Sequence, residues 1–166
     1  MKGRIDMEDI NKEKIINTLK RNLRIRFSWY KPNVLIIDGD KINFNLLIEE
    51  FAKDSGINLI RLNMKDLDLY EVSRSIYGKI HEDDKLAFPF LIRNLRKPNT
   101  ILYLEDFNHV DVKIRNCFSS LIKDHRIQNE VFNNLLFTIA TCNNLDEENN
   151  LGFYELQNFS IVHNCL

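Results

Sequence analysis

The sequence predicts an α/β fold in which a parallel sheet of five short strands lies between layers of helices. Five apolar segments alternate with longer amphipathic segments along the 166-residue chain, a pattern typical of parallel sheets with helical crossovers. The composition is that of a globular protein, with 44% hydrophobic and 28% charged residues. This length corresponds to about one domain. We expect an N-terminal helix over residues 1–30 and an α/β core over 31–166.

In the first half of the chain, hydrophobic periodicity and turn residues define the elements. Apolar residues at helical spacing, among them Ile15 and Leu19, predict a helix, and Pro32 prevents it from continuing. The next apolar segment is short and uninterrupted, as in a strand buried on both faces. Gly56 is a favourable helix C-terminus before a second such segment. The predicted elements are a helix over 6–27, a strand over 34–37, a helix over about 43–54 and a strand over 57–62.

The second half continues the alternation. The turn Lys97-Pro98-Asn99 precedes a third apolar strand, and Ile114 and Phe118 lie at helical spacing after it. The polar segment 144–150 predicts a solvated loop. The predicted elements are helices over 66–80 and 84–95, a strand over 101–104, a helix over 110–123, and strands over 135–140 and 159–162.

Three polar segments follow the predicted strands, at the edge where parallel α/β sheets bind ligands. The first covers 38–45, the second begins with Glu105 and Asp106, and the third contains Thr141 and Asn143. Phosphoryl transfer uses a loop that holds phosphates, a carboxylate for Mg²⁺, a carboxylate that orients water, and a polar group near the terminal phosphate. The three segments together favour a nucleotide site.

The order and spacing of these segments resemble the core domain of AAA+ ATPases, and within them the MoxR and dynein-related branch. ILYLEDFNHVDVKIRNCFSSLIKDHRI, over 101–127, is similar to that branch's strand, acidic pair and following helix. FTIATCNN, over 137–144, resembles its sensor-1 strand, and residues 153–164 resemble the segment entering its fifth strand. The resemblance covers about residues 30–164. It implies a three-layer P-loop NTPase-like fold, ATP with Mg²⁺ as cofactor, and other protein subunits as partners.

The resemblance also assigns roles to individual residues. It implies that Asp106 and Asn143 are catalytic and that Glu105 and Asp106 bind Mg²⁺. The nucleotide-binding residues that it implies are Asp38, Gly39, Asp40, Lys41, Asn43 and Asn45.

The phosphate-binding loop departs from the family pattern, Gly-x-x-Gly-x-Gly-Lys-Ser/Thr (Walker A). In a gap-free alignment Phe44 occupies the lysine position and Asn45 the Ser/Thr position. Replacing lysine by phenylalanine removes a charge-assisted contact worth about 1.5–3 kcal/mol. Asp38 and Asp40 add negative charge where phosphates would lie. The resemblance therefore implies a degenerate Walker A loop.

Two further positions depart from the family. The acidic pair reads Glu-Asp where the family has Asp-Glu, and Asn158 replaces an expected arginine. The family's helical lid is not expected after residue 166. We expect a degenerate AAA+-like domain, impaired in or lacking ATP hydrolysis. It would act as a structural or regulatory subunit or protein-interaction module, beside active AAA+ subunits or copies of itself.

Two alternatives stay open. One is a divergent Mg²⁺-dependent ATPase that uses Lys41, Glu105, Asp106 and Asn143. The other is an unrelated doubly wound regulator of the receiver type, built on Asp38 and Asp40. Phosphate release that depends on Asp106 would favour the first alternative.

Bulk properties exclude several other classes. The net charge of −1 gives no indication of nucleic-acid binding. The three cysteines are far apart and form neither a metal-binding spacing nor a disulfide framework. No apolar segment approaches the roughly 18 residues that a membrane span needs, and the N-terminus lacks a signal-peptide core. We expect a cytoplasmic protein without a membrane partner.

Overall fold

The structure is a computed structural model, and it describes residues 7–25, 33–38, 43–68, 87–143 and 151–163. In these ranges the helices are α1 (Met7–Arg24), α2 (Phe44–Asp54), α3 (Ala87–Leu95), α4 (Val112–Asp124) and the short α5 (Phe153–Leu156). The strands are β1 (Val34–Asp38), β2 (Asn58–Asn63), β3 (Thr100–Glu105), β4 (Arg126–Ile127), β5 (Glu130–Val131), β6 (Leu135–Asn143) and β7 (Ser160–His163).

Five strands form one parallel sheet in the order β2-β3-β6-β1-β7. In β1, Val34 pairs with Ile139 of β6 on one side and with Ser160 of β7 on the other. From β1 the chain runs to the β2 edge and returns through β3 and β6, so the direction of winding changes beside β1. Ligand sites of parallel α/β sheets lie at such points. The predicted five-stranded parallel sheet with flanking helices is confirmed.

Alternating side chains fill one apolar layer on each face of the sheet. In β3, Ile101 and Tyr103 face one layer, and Leu102 and Leu104 face the other. The first layer includes Ile15 and Leu19 of α1 with Phe44, Ile48 and Phe51 of α2, and the second includes Leu91 and Leu95 of α3 with Ile114, Phe118 and Leu121 of α4. Both faces are covered, which explains why the strands read as continuous apolar segments. The result is three layers.

The segment after β2 differs from the predicted helix over 66–80. Met64–Asp66 is a 3-10 turn, and Leu67 is extended (φ −89°, ψ 128°). The Asn63 side chain accepts the backbone N–H of Lys65 at 3.0 Å and so competes locally with a helix. Residues 69–80 of the predicted helix lie outside the described residues.

A small antiparallel hairpin was not predicted. Arg126 pairs with Val131, and Ile127 pairs with Glu130. It follows α4, which ends where His125 adopts a left-handed backbone (φ 51°). Each strand of the hairpin has two residues, too few for a periodic pattern.

Apart from the short α5, which was not predicted, the remaining helices agree with the sequence prediction within a few residues. α3 covers the described part of the predicted helix over 84–95. α4 begins after Asp111, whose side chain accepts the N–H of Lys113 at 2.7 Å, two residues later than predicted. Within the described part of the chain, no helix combines the length and apolar character needed to cross a bilayer.

Candidate functional site

The carboxyl end of β3 carries the adjacent carboxylates Glu105 and Asp106. Their side chains retain only 14% and 13% of their exposure, respectively. Asp106 has a left-handed backbone (φ 55°, ψ 45°), which aspartate tolerates better than most residues. The chain therefore turns sharply at the acidic pair and enters the 3-10 turn Phe107–His109.

Both carboxylate oxygens of Glu105 accept hydrogen bonds. Asn45 Nδ2, in the first turn of α2, donates to Oε1 at 2.7 Å. Arg61 of β2 donates to Oε2 from Nε at 3.0 Å and from Nη2 at 2.9 Å, and its Nη1 donates to Glu49 at 2.7 Å. Burial acts to lower the pKa of Arg61, but hydrogen bonds to the two glutamates outweigh burial and raise it. Glu105 thus links α2 to β2.

Both oxygens of Asp106 are also engaged. Lys65 Nζ lies 2.9 Å from Oδ2, and Asn143 Nδ2 donates to Oδ1 at 3.0 Å. The backbone N–H of Asp106 donates to Thr141 Oγ1 at 3.3 Å. The turn that Asn63 closes after β2 places Lys65 here. The acidic pair therefore faces two cations, both from β2 and the turn that follows it.

Asn143 is held at the end of β6 by the turn after β3. Its carbonyl oxygen accepts from Asn108 Nδ2 at 2.7 Å and lies 3.0 Å from His109 Nε2. Its backbone N–H donates to Asn108 Oδ1 at 3.3 Å. Its side-chain Oδ1 is buried and has no hydrogen-bond partner among the described residues. That oxygen is an acceptor available to a small donor such as water.

Tyr103 lies beneath the acidic pair and is fully buried. Its hydroxyl donates to Asn45 Oδ1 at 2.6 Å and lies 3.4 Å from Thr141 Oγ1. Burial raises the pKa of Tyr103 well above its ordinary value. The carboxylate of Glu105 can only accept, so it and the Tyr103 hydroxyl together orient the Asn45 amide.

The first turn of α2 carries the residues that align with the family's lysine and Ser/Thr. The Asn43 side chain caps α2 by accepting the Leu46 N–H at 3.2 Å. The Phe44 side chain is 6% exposed and packs in the layer that contains Ile48. The residue that a gap-free alignment places at the family's lysine position is thus part of the hydrophobic core in this chain.

The structure brings together four of the residues assigned from the resemblance. Asn45, Glu105, Asp106 and Asn143 lie in one hydrogen-bonded network. Asp38 ends β1 directly opposite Asn143 in the sheet register. The other assigned loop residues, Gly39, Asp40 and Lys41, lie outside the described residues.

Three residues of this network, Arg61, Lys65 and Tyr103, were not predicted from the sequence. Arg61 had a detectable signal, because it interrupts the apolar strand sequence NLIRLN, and an arginine in a sheet needs a charged or polar partner. Lys65 had no signal, since its position depends on a local turn. Tyr103 reads as an ordinary apolar strand residue, and only the tertiary structure places Asn45 next to its hydroxyl.

The residues at this strand end do not fit Mg²⁺ in the observed arrangement. Mg²⁺ needs oxygen ligands in near-octahedral geometry, but Asn45 directs its amide nitrogen toward Glu105. The carboxylate oxygens of Glu105 and Asp106 already accept from protein donors.

The network can hold charge in a fixed arrangement. Charge-assisted hydrogen bonds between buried or half-buried groups are stronger than neutral ones, and here they connect α2, β2, β3 and β6. The arrangement fixes the ends of three neighbouring strands relative to one another.

No family model matches the sequence, and no curated protein is significantly similar to it. Among solved structures, the Thermotoga maritima RuvB Holliday junction branch migration motor is similar, with a TM-score of 0.57 and 12% identity over 92% of this chain and 43% of that one. A point mutant of the same RuvB gives a TM-score of 0.59 and 12% identity over 92% of this chain and 45% of that one. This chain spans less than half the length of those RuvB chains. RuvB is an AAA+ ATPase, so this chain has the three-layer α/β fold of AAA+ P-loop NTPases.

Proposed function

We propose that this chain is a degenerate AAA+-type domain of the MoxR and dynein-related kind that does not turn over ATP and acts as a structural or regulatory protein-interaction subunit. The observation that carries the proposal is the position of Phe44. Its side chain is buried in the core at the first turn of α2, where an ATPase of this fold needs a lysine on the phosphates. In the proposal the chain keeps the architecture, and Phe44 stands where the alignment expects the principal phosphate contact.

The strand-end network supports the same proposal. Catalysis by Asp106 would require a carboxylate that is available to orient water. Its two oxygens instead accept from Asn143 and Lys65. These contacts stabilise the carboxylate in place, which suits a structural role of the former catalytic position.

The proposed partners are other protein subunits, either active AAA+ subunits or copies of this chain. Large apolar side chains are exposed on the described surface, among them Leu46 at 53%, Val112 at 49% and Tyr154 at 79%. Exposed aromatic and aliphatic side chains are enriched as anchors of protein interfaces. We propose that the whole chain acts as one domain in the cytoplasm, with α1 packed on its core through Ile15 and Leu19.

Phosphate release from purified protein tests the absence of turnover. We expect millimolar ATP with Mg²⁺ to give no more phosphate with the wild-type chain than with Asp106→Ala. A thermal-shift titration accompanies it, because a ligand at 100 times its Kd adds about 2.7 kcal/mol of stability. Phosphate release that the Asp106→Ala substitution abolishes would contradict the proposal.

Light scattering and affinity purification test the interaction role. We expect the chain to form a defined oligomer or to retain a defined subunit, and we expect Tyr154→Lys to weaken that complex. Glu50→Lys, on the exposed side of α2, is the matched control for adding a lysine. A strictly monomeric chain that retains no protein would eliminate this role.

A divergent Mg²⁺-dependent ATPase is the second candidate. It is favoured by the contact between Asn143 and Asp106, 3.0 Å apart, and by the buried acceptor Asn143 Oδ1. These two residues are placed together as a water-orienting pair would be. In this candidate Lys41 would contact the phosphates. Glu105 and Asp106 would bind Mg²⁺ after their present hydrogen-bond and ion-pair partners move away.

A further inference from the structure

Among the described side chains, the strand-end cluster has nearly balanced charge without any added ion. Three carboxylates, those of Glu49, Glu105 and Asp106, lie against the two cations Arg61 and Lys65. All three ion pairs are between 2.7 and 2.9 Å. In AAA+ ATPases a divalent cation accompanies the acidic pair. In this chain the positive charge beside the pair comes from these two side chains.

The two cations are more exposed than the acidic pair Glu105 and Asp106. The Arg61 and Lys65 side chains are 40% and 49% exposed, whereas those of Glu105 and Asp106 are 14% and 13% exposed. The basic side chains therefore cover the acidic pair on its solvent side. An ion arriving from solvent would have to displace one of them.

We propose that Arg61 and Lys65 replace the divalent cation at the acidic pair, so that the native chain excludes Mg²⁺ from this strand end. Arg61 holds Glu105 through two N–H groups and reaches Glu49 with a third. Lys65 holds Asp106. The inference rests on the proposed function, because it relies on the comparison with AAA+ ATPases. It adds which side chains neutralise the acidic pair.

Both substitutes are anchored independently of any ligand. Arg61 lies inside β2, which pairs directly with β3, the strand that ends at Glu105. In this register Asn63 lies opposite Glu105. Lys65 is placed by the turn that the Asn63 side chain closes. Because secondary structure and not a flexible loop delivers both cations, they are present whenever the sheet is formed.

The neighbouring amide also suits an internal cation better than a metal. Asn45 donates from Nδ2 to Glu105, and its oxygen is taken by the Tyr103 hydroxyl. A divalent ion would require that oxygen to face the pair, because an amide ligates through oxygen. Turning the amide would break both hydrogen bonds.

Removal of the internal cations tests the inference. Mn²⁺ serves as the probe, and the loss of the EPR signal of free Mn²⁺ measures its binding. The proteins compared are the wild-type chain, the double variant Arg61→Met/Lys65→Met and the single variant Lys65→Met. We expect no binding by the wild type at millimolar Mn²⁺ and a gain of at least tenfold in affinity for the double variant. We also expect added Mn²⁺ to raise the melting temperature of the double variant alone.

Matched variants separate this site from general charge effects. Arg96→Met/Lys97→Met removes two exposed cations far from the pair and should gain nothing. Adding Asp106→Asn to the double variant should abolish the gained binding. If the double variant does not fold, Lys65→Met, whose side chain is half exposed, carries the test, with a smaller gain expected.

Two results would overturn the inference. One is binding of Mn²⁺ by the wild type that Asp106→Asn removes, and the other is no gain in a folded variant lacking Lys65. The first result without phosphate release leaves the proposed function standing. Phosphate release with no Mn²⁺ bound at the pair would overturn the proposed function alone.

Discussion

The Tyr103 hydroxyl lies 2.6 Å from the side-chain oxygen of Asn45, and this bond joins the buried centre of β3 to the first turn of α2. Through Asn45 the contact continues to Glu105. One phenol thus determines which atom of the Asn45 amide meets the acidic pair.

Removing that hydroxyl should cost stability. Tyr103→Phe leaves Asn45 Oδ1 without its donor, and an unsatisfied polar group costs about 1–3 kcal/mol. Urea denaturation measures the loss, with the exposed Tyr154→Phe as control, for which we expect a change within about 0.5 kcal/mol. Equal effects of the two substitutions would contradict the role of the Tyr103 hydroxyl.

The same tyrosine should make stability depend on alkaline pH. Burial raises its pKa in the folded state, so its contribution is fully present below the unfolded value of about 10 and is lost as pH rises above it. The stability difference between the wild type and Tyr103→Phe should therefore shrink above about pH 10. A difference that stays constant across that range would show that Tyr103 is not protected from ionisation.

Restoring the family's lysine should damage the fold and not revive a nucleotide site. Phe44→Lys places a charge where the native side chain is 6% exposed, and losing a buried phenylalanine alone costs about 3–5 kcal/mol. Leu46→Lys, in the same helical turn but 53% exposed, is the control and should change stability by about 0.5 kcal/mol or less. A stable Phe44→Lys variant that gains ATP-dependent stabilisation would refute the expectation.

A buried ion pair holds the segment before β7 to α4. Arg115 Nε donates to Glu155 at 2.6 Å, and its Nη1 donates to the Val110 carbonyl at 3.0 Å. The Arg115 side chain is 9% exposed, so Arg115→Met should cost about 3–5 kcal/mol by leaving a charge unpaired. Arg96→Met, which breaks the exposed pair with Glu130, should cost about 0.2–1 kcal/mol. Chemical denaturation of both variants checks the contrast.

The buried Asn33 connects three parts of the chain just before β1. Its Nδ2 donates to the carbonyls of Ile122 and Asn158 at 2.8 and 3.2 Å, and its Oδ1 accepts the Thr138 N–H at 2.9 Å. Asn33→Ala should cost about 1–3 kcal/mol, the penalty for an unsatisfied buried group. The control is Asn134→Ala, an exposed side chain that also donates to a backbone carbonyl. A smaller loss for Asn33→Ala than for the control would be inconsistent with this role.

The exposed ion pair between Arg96 and Glu130 of the hairpin should contribute a small part of the stability, and this part should be lost in acid. Hydrogen bonding to Arg96 lowers the pKa of Glu130, so its contribution is present above the unfolded value of about 4.3 and is lost as pH falls. Glu130→Gln should cost about 0.2–1 kcal/mol near neutral pH, since both side chains are exposed. Urea denaturation from about pH 3 to pH 7, with Glu50→Gln as control, measures this. If Glu130→Gln lowers the free energy of unfolding equally at the acid end of this range, the effect comes from packing and not from the ion pair.

The sequence predicted the sheet well because its strands are buried on both faces. Segments such as 101–104 and 135–140 are uninterrupted apolar sequences, and burial leaves little room for other patterns. The location of the acidic pair and Asn143 at neighbouring strand ends was also predicted, since parallel strands carry polar groups to one edge. These features depend on local sequence alone.

The other residues of the network could not be predicted, because their positions depend on contacts between segments that are distant in the sequence. Arg61 meets Glu105 only because β2 pairs with β3, and the sequence of β2 does not state that register. Lys65 depends on a turn closed by Asn63, in a segment whose periodicity favoured a helix. The inward position of Phe44 follows from how α2 packs on the sheet, which a gap-free alignment cannot provide.

The pairing of β1 has a consequence for how the chain matures. Val34 lies between Ile139 and Ser160, so both neighbours of β1 come from the last third of the sequence. During synthesis β1 and Asn33 leave the ribosome long before either partner. Sheets built from such distant contacts form slowly, and β1 remains an unpaired apolar strand until β6 has been made. The nascent chain therefore passes through a period in which its own fold does not yet protect this apolar segment from aggregation.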